Sequence, residues 1–306
     1  MMTFFKEAFQ VNRKSYPERV RSALFHAIKK TAANLDACVK VPGKDFSRKR
    51  KLPLQTMLLM LIGMGGGSLS KELYDWFGYT PSTATASAFV QQRNKIRAKA
   101  VEMIFNDFVS SAMPTMTFRG YRLFAVDGSD LRLPSDPTND FSLIRNAEGQ
   151  KQYNLAHLNA MFDLMSKAYV DVTMQGKKGM NEHKGTIKEL YRLRWGIETS
   201  FRELKYTIGL SCLHGKKTDF LLQEVFARLI LYNYASLIAR KIPVPQEKQI
   251  NFSVAILVCK QFLKGKIRPA QIFGILSKHL SPIRPGRQYR RYQNPVSAVA
   301  FQYRFS

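Results

Sequence analysis

The sequence predicts a mixed fold of the α+β or α/β class, and three changes of pattern along the 306 residues predict it. Apolar residues recur at helical spacing up to about residue 118, alternate with period two between Tyr121 and Met174, and return to helical spacing after about Gly179. A hydrophobic share of 45% with 23% charged residues is an ordinary globular balance, and a chain of this length can bury cores for about two domains. Disordered and collagen-like chains are thereby excluded.

In the first region, residues 1–118, Val20, Leu24, Ala27, Ile28 and Leu35 mark a helix from Tyr16 to Cys38, and Leu54 to Leu61 is a second apolar stretch. This is read as an N-terminal helical domain. Between the helices stand four consecutive cations, Arg48, Lys49, Arg50 and Lys51, before Pro53 at a helix start. The turn Pro81 to Ser87 is followed by the basic segment Gln91 to Arg97, which includes Arg93. A turn and then a basic helix is the order a helix-turn-helix DNA reader needs, while two solvated helix faces would look the same. Gly65-Gly66-Gly67 lacks the Lys-Ser/Thr ending of a phosphate loop and reads as a hinge or turn.

Period two then begins. Tyr121 to Ser129 reads as a strand ending in an acidic turn at Asp127, and Ala156 to Leu164 and Ala168 to Met174 as two more strands joined around Ser166. Helical segments follow at Ile187 to Leu210, Phe220 to Lys241 and Ser253 to Phe262. The middle unit is set at 119–241 and a basic C-terminal region at 242–306. No acid follows Glu247, whereas Lys260, Lys264, Arg284, Arg290 and Arg291 lie beyond it.

Charge narrows the partners. Forty-eight Lys plus Arg against 22 Asp plus Glu leave a net +26, and the usual meaning of that surplus is a polyanion, first of all nucleic acid. Cys38, Cys212 and Cys259 have no CxxC pairing, and the five histidines have no ligand spacing, so a zinc site is excluded. The start shows no export signal, and the apolar run Met57 to Met64 is well short of the ~18 residues of a membrane span, so a cytoplasmic protein without membrane association is expected.

The segment from Tyr191 carries the chemistry. On a helix advancing about 100° per residue, Tyr191, Arg194, Glu198 and Lys205 fall in a polar stripe about 60° wide and about 21 Å long. Leu190, Leu193, Ile197, Phe201, Leu204 and Ile208 form the adjoining apolar stripe, so Glu198 is expected at the rim of a core. An ordinary salt bridge between Arg194 and Glu198, four residues apart, is the structural alternative.

The string from Tyr191 to Lys205 matches the pattern Y-x2-R-x3-E-x6-K and resembles the YREK signature of insertion-sequence DDE transposases. Phe124 to Ser129 resembles the strand carrying that family's first aspartate. The resemblance implies a ribonuclease-H-like core whose three carboxylates hold two divalent ions, Mg²⁺ or Mn²⁺, for phosphodiester cutting and joining, with Asp127 and Glu198 catalytic and two of those three ligands. It implies that Tyr191, Arg194 and Lys205 grip DNA phosphates and that Trp195 stacks on an extruded base, packing against the sheet being the alternative for Trp195. The implied partners are double-stranded DNA, the terminal inverted repeats of a transposon, and a second copy in a homodimeric synaptic complex at the nucleoid. Arg48, Lys49, Arg50, Lys51 and Arg93 would join the DNA contacts.

One feature of the family has no counterpart. Its second aspartate ends a later strand and is followed by a β-rich insertion, but only 71 positions separate Asp127 from Glu198 here. The expectation is a core lacking part of its sheet and that insertion, shortened internally near residues 184–187, in a copy whose activity is impaired. The alternative function is a non-catalytic DNA-binding remnant that occupies transposon ends or inhibits an intact transposase.

Overall fold

The structure, a computed structural model, describes residues 14–48, 51–145, 152–176, 191–213 and 215–283, with the backbone alone for 191–195. It is a mixed α and β fold with antiparallel sheets. The N-terminal helices are α1 (Tyr16–Ala33), α2 (Leu35–Cys38), α3 (Leu54–Gly63), α4 (Leu69–Phe77), α5 (Ala86–Arg93) and α6 (Ala98–Ala112). The start of α1 is fixed locally: the backbone N–H of Ser15 donates to Glu18 Oε2 at 2.7 Å, and Pro17 occupies the first turn, where its missing N–H costs nothing.

The basic helix expected at Gln91 to Arg97 is absent. α5 stops at Arg93, and residues 94–97 turn the chain into α6. The reason is burial of Arg93, which locks the end of α5 against a helix far along the chain. The exposed residues of α5 are Ser87, Val90 and Gln91, so this helix shows no cationic face.

Strands β1 (Phe124–Leu133), β2 (Leu143–Ile144), β3 (Tyr153–Asp163) and β4 (Ala168–Gly176) form one antiparallel sheet. β3 is central, with β1 on one side and β2 and β4 on the other. The strand expected to end at Asp127 continues to Leu133, so Asp127 lies inside β1 rather than at its end. Pairing overrides the local Gly128-Ser129-Asp130 turn signal: β3 matches β1 residue for residue, from Phe124↔Asp163 to Leu133↔Asn154. Gly128 serves this register, because a Cβ there would sit 2.2 Å from His157 Nε2. One face of the sheet, bearing Ala125, Leu131, Ala156, Leu158, Ala160 and Phe162, is buried against helices. The other carries Val126, 66% exposed, with His157 and Asn159.

After the sheet come α7 (Tyr191–Arg202), a π-helical turn (Glu203–Thr207), α8 (Thr218–Ala239), β5 (Lys248–Ile250), α9 (Phe252–Leu263), α10 (Pro269–Lys278) and β6 (Leu280–Pro282), which pairs with β5. The beginning of the expected helix at Ile187, the seam at 184–187, and the arginines from Arg284 onward lie outside the described residues.

α8 is buried on every side from Phe220 to Ala239 apart from Leu222, so its sequence is apolar all round rather than amphipathic. Several of its polar side chains reach other elements. Glu224 and Gln223 hold Arg93 of α5, and Arg228 donates to the carbonyls of Met64 and Gly65. Asn233 bonds both the N–H and the carbonyl of Tyr169 on β4, each at 2.8 Å. One hydrophobic core therefore runs from the N-terminal helices through α8 to the sheet. The triple glycine is a packed turn in that core. Gly65 N–H donates to Glu72 Oε1 at 2.7 Å, and Gly209, at φ +87°, passes so close that a Cβ on it would lie 3.3 Å from Gly66 Cα.

Candidate functional site

Asp127 sits on the helix-facing side of β1 and is partly buried. Its cross-strand partner is Ala160, whose partner in turn is Val172, so its neighbours on the β3 side of this face are small and apolar. α7 packs against β1. Ile197, Phe201 and Leu204 are buried, which is the apolar stripe expected from the helical wheel, and Glu198 beside them is partly exposed at the edge of the core. Two acids thus stand on two elements that pack together. The backbone of Tyr191, Arg194 and Trp195 belongs to the first turns of α7, while their side chains lie outside the described residues, as do Lys49 and Arg50.

α7 is held by hydrogen bonds under its buried side. Ser200 Oγ donates to the Ile197 carbonyl at 2.7 Å and lies 2.8 Å from the Tyr169 hydroxyl on β4. The rings of Tyr169, Phe162 and Tyr232 pack edge to face around it. Burial raises the pKa values of the Tyr169 and Tyr232 phenols, so both remain protonated. The Tyr232 hydroxyl donates to Glu203 Oε2 at 3.1 Å, and burial raises the Glu203 carboxyl above the usual range, with Tyr232, Arg202 and Lys167 opposing.

The π-helical turn changes the line drawn on a regular helix. The N–H of Ile208 reaches back to the carbonyl of Glu203, five residues away, which widens the turn in which Lys205 lies. Lys205 points to β1, donating from Nζ to the Asp130 carbonyl at 2.8 Å. Burial holds its ammonium below the usual lysine range, and the charge of Asp130 opposes that shift. Lys205 and Asp127 are therefore tied to one strand, three residues apart along it. On the other side of β1, Asp130 Oδ1 and His157 Nδ1 are 2.8 Å apart. Neither this pair nor Glu203 follows from sequence spacing. Asp130 and His157 meet through the β1–β3 register, and Glu203 falls outside both stripes of the wheel.

The remaining predicted residues separate into two groups. Arg48 and Lys51 are exposed, Lys51 with its ammonium 5.9 Å from the Phe77 ring. Arg93 is not available to DNA: it is 3% exposed, and its guanidinium donates to Gln223, Glu224 and the Phe220 carbonyl at 2.8 to 2.9 Å. Its position in a basic run gave no sign of an acid 131 residues later.

Two other acids near the sheet have structural work. Asp163 is fully buried, accepts from the N–H groups of Met165 and Ser166, and pairs with Arg122 at 3.0 Å. Asp171 is exposed on the opposite face from Asp127 and accepts from the N–H of Val172. Among the described residues no group of three His, Cys, Asp or Glu side chains is placed to hold a metal ion, and no helix is long and apolar enough to cross a membrane.

Comparison with curated proteins and with solved structures gives no match. Comparison with protein families gives one, which starts immediately after β4 and includes Glu198, Lys205 and most of α8. Over residues 177–234 the chain is similar to the family described as Transposase DDE domain.

Proposed function

We propose that this chain is a DNA transposase of an insertion sequence, which binds terminal inverted repeats and cuts and joins DNA strands. The observation that carries the reading is the packing of α7, which bears Glu198, on β1, which bears Asp127, with Lys205 of the following turn donating to the Asp130 carbonyl; Glu198 and Lys205 both lie inside the matched segment. In this reading Asp127 and Glu198 are the catalytic carboxylates. Both offer hard oxygen donors, and Mg²⁺ is commonly held by one or two carboxylates together with substrate phosphates and water, so the pair suits one divalent ion, Mg²⁺ or Mn²⁺. Such an ion, when bound, supplies Lewis-acid polarisation of the scissile phosphate. The protein's own share is positional. Lys205, anchored on the Asp130 carbonyl and partly desolvated, offers the phosphate backbone a fixed point charge, and further phosphate contacts are assigned to Arg194 and Tyr191 of α7. Arg48 and Lys51 add exposed charge from the N-terminal region, and two copies would hold two transposon ends in a synaptic complex.

A second reading is favoured by one observation: among the described residues no third acid joins Asp127 and Glu198. In it the chain binds transposon ends without cutting them and competes with an intact transposase. A labelled duplex carrying a terminal repeat, incubated with Mg²⁺ or Mn²⁺, separates the two. Nicking at the repeat end that is lost in Glu198→Gln, with binding retained, is the result expected of the enzyme. Uncut DNA with full binding by the wild-type chain is the result expected of the competitor.

A further inference from the structure

On the flank of α7 turned away from its apolar stripe, the π-helical turn, β5, β6 and the start of α9 line an open cleft of about 430 Å³. Its size falls within the range of about 300 to 1,000 Å³ that accepts small molecules. Arg202 and Tyr206 stand on the helical side, Tyr206 with 70% of its surface exposed. Gln249, Asn251 and Ser281, with amide and hydroxyl side chains, line the opposite wall, and Glu203, with its carboxyl, also lines the cleft. One oxygen of that carboxyl takes the Tyr232 hydroxyl, which leaves the other as an acceptor for the cleft.

This combination selects among ligands. A bare phosphate would gain Arg202 and meet repulsion from Glu203. An apolar ligand would strand the carboxyl and the amides without partners. A ligand with an anionic group at one end and a flat aromatic group bearing N–H donors at the other meets Arg202, Tyr206 and Glu203 together. A nucleotide has that form, and the chain's net charge of +26 favours a nucleic acid as its source. A ring laid against Tyr206 has left the stack of a duplex, so the nucleotide is unpaired.

We propose that this cleft takes one unpaired nucleotide of a DNA strand, with its phosphate at Arg202, its ring against Tyr206 and an amino-bearing edge on Glu203. The inference rests on the reading of the chain as a protein that handles DNA strands, and it makes Glu203 a specificity-determining residue. Carboxylates accept from the N4 amino group of cytosine. Thymine's sole ring donor, N3–H, lies between two carbonyl oxygens that a carboxylate repels, so cytosine is favoured over thymine.

Fluorescence anisotropy with the full chain, fluorescent oligo-dC and oligo-dT, and a terminal-repeat duplex at one fixed salt concentration tests this. The wild type is expected to bind oligo-dC roughly five- to tenfold more tightly than oligo-dT. Glu203→Gln, which keeps an acceptor for Tyr232, is expected to bring the two affinities within about twofold. Tyr206→Ala, at an exposed position where folding is not at risk, is expected to weaken both oligonucleotides by roughly five- to tenfold or more while leaving the duplex affinity unchanged. Equal affinity of the wild type for the two oligonucleotides, or a preference that survives in Glu203→Gln, overturns the assignment. If the duplex is bound and no preference is seen, the cleft proposal alone fails; if neither duplex nor single strands are bound, the transposase reading fails with it.

Discussion

Arg93 shows what one side chain can hide. It stands in a run with Lys95 and Arg97 and reads as surface charge, yet each of its three guanidinium nitrogens donates to an acceptor inside the core. Removing one member of a buried ion pair leaves the other charged and without its partner, at a cost of about 3–5 kcal/mol. Arg93→Met is therefore expected to lower the unfolding free energy by about that amount in urea titration, while the salt slope of DNA binding stays the same. Each phosphate contact contributes about −0.9 to that slope, so a decrease in its magnitude by about that much would restore Arg93 to the DNA contacts. Asp127 and Glu198 were the more legible residues. An acid beside an apolar helical stripe is placed by periodicity alone and an acid in an apolar strand is placed on that strand, though not at its end, whereas the partner of Arg93 is set by packing between distant segments.

The apolar stripe of α7 emerged from the sequence because a buried helix face needs only regular spacing. Ile197, Phe201, Leu204 and Ile208 are all buried. The π-helical turn was not legible, since the wheel assumes a constant angle per residue and nothing local in Glu203 to Thr207 announces the extra residue. The extent of β1 beyond Ser129 was hidden for a related reason: it comes from the β3 register and not from strand propensity. The end of the α7 unit depends on Gly209, whose positive φ and close approach to Gly66 no other residue satisfies without strain. Gly209→Ala is expected to destabilise the protein by about 1–3 kcal/mol, seen as a lower urea midpoint at unchanged slope. An unchanged midpoint would show that this crossing is not a fixed part of the fold.

α8 joins the molecule together. Its all-round apolar composition forecasts a buried helix, but not that its polar residues would hold α5, the glycine turn and β4 at successive points. Those links couple the N-terminal helices to the sheet and so to the elements bearing Asp127 and Glu198. In the transposase reading the two acids act as one unit, and residues acting as a unit lose activity non-additively. The nicking rates of Asp127→Asn, Glu198→Gln and the double variant on a terminal-repeat duplex measure this directly. Each single variant is expected to fall to the same floor as the double variant, with DNA binding intact. Wild-type cleavage that survives in either single variant would contradict a shared site.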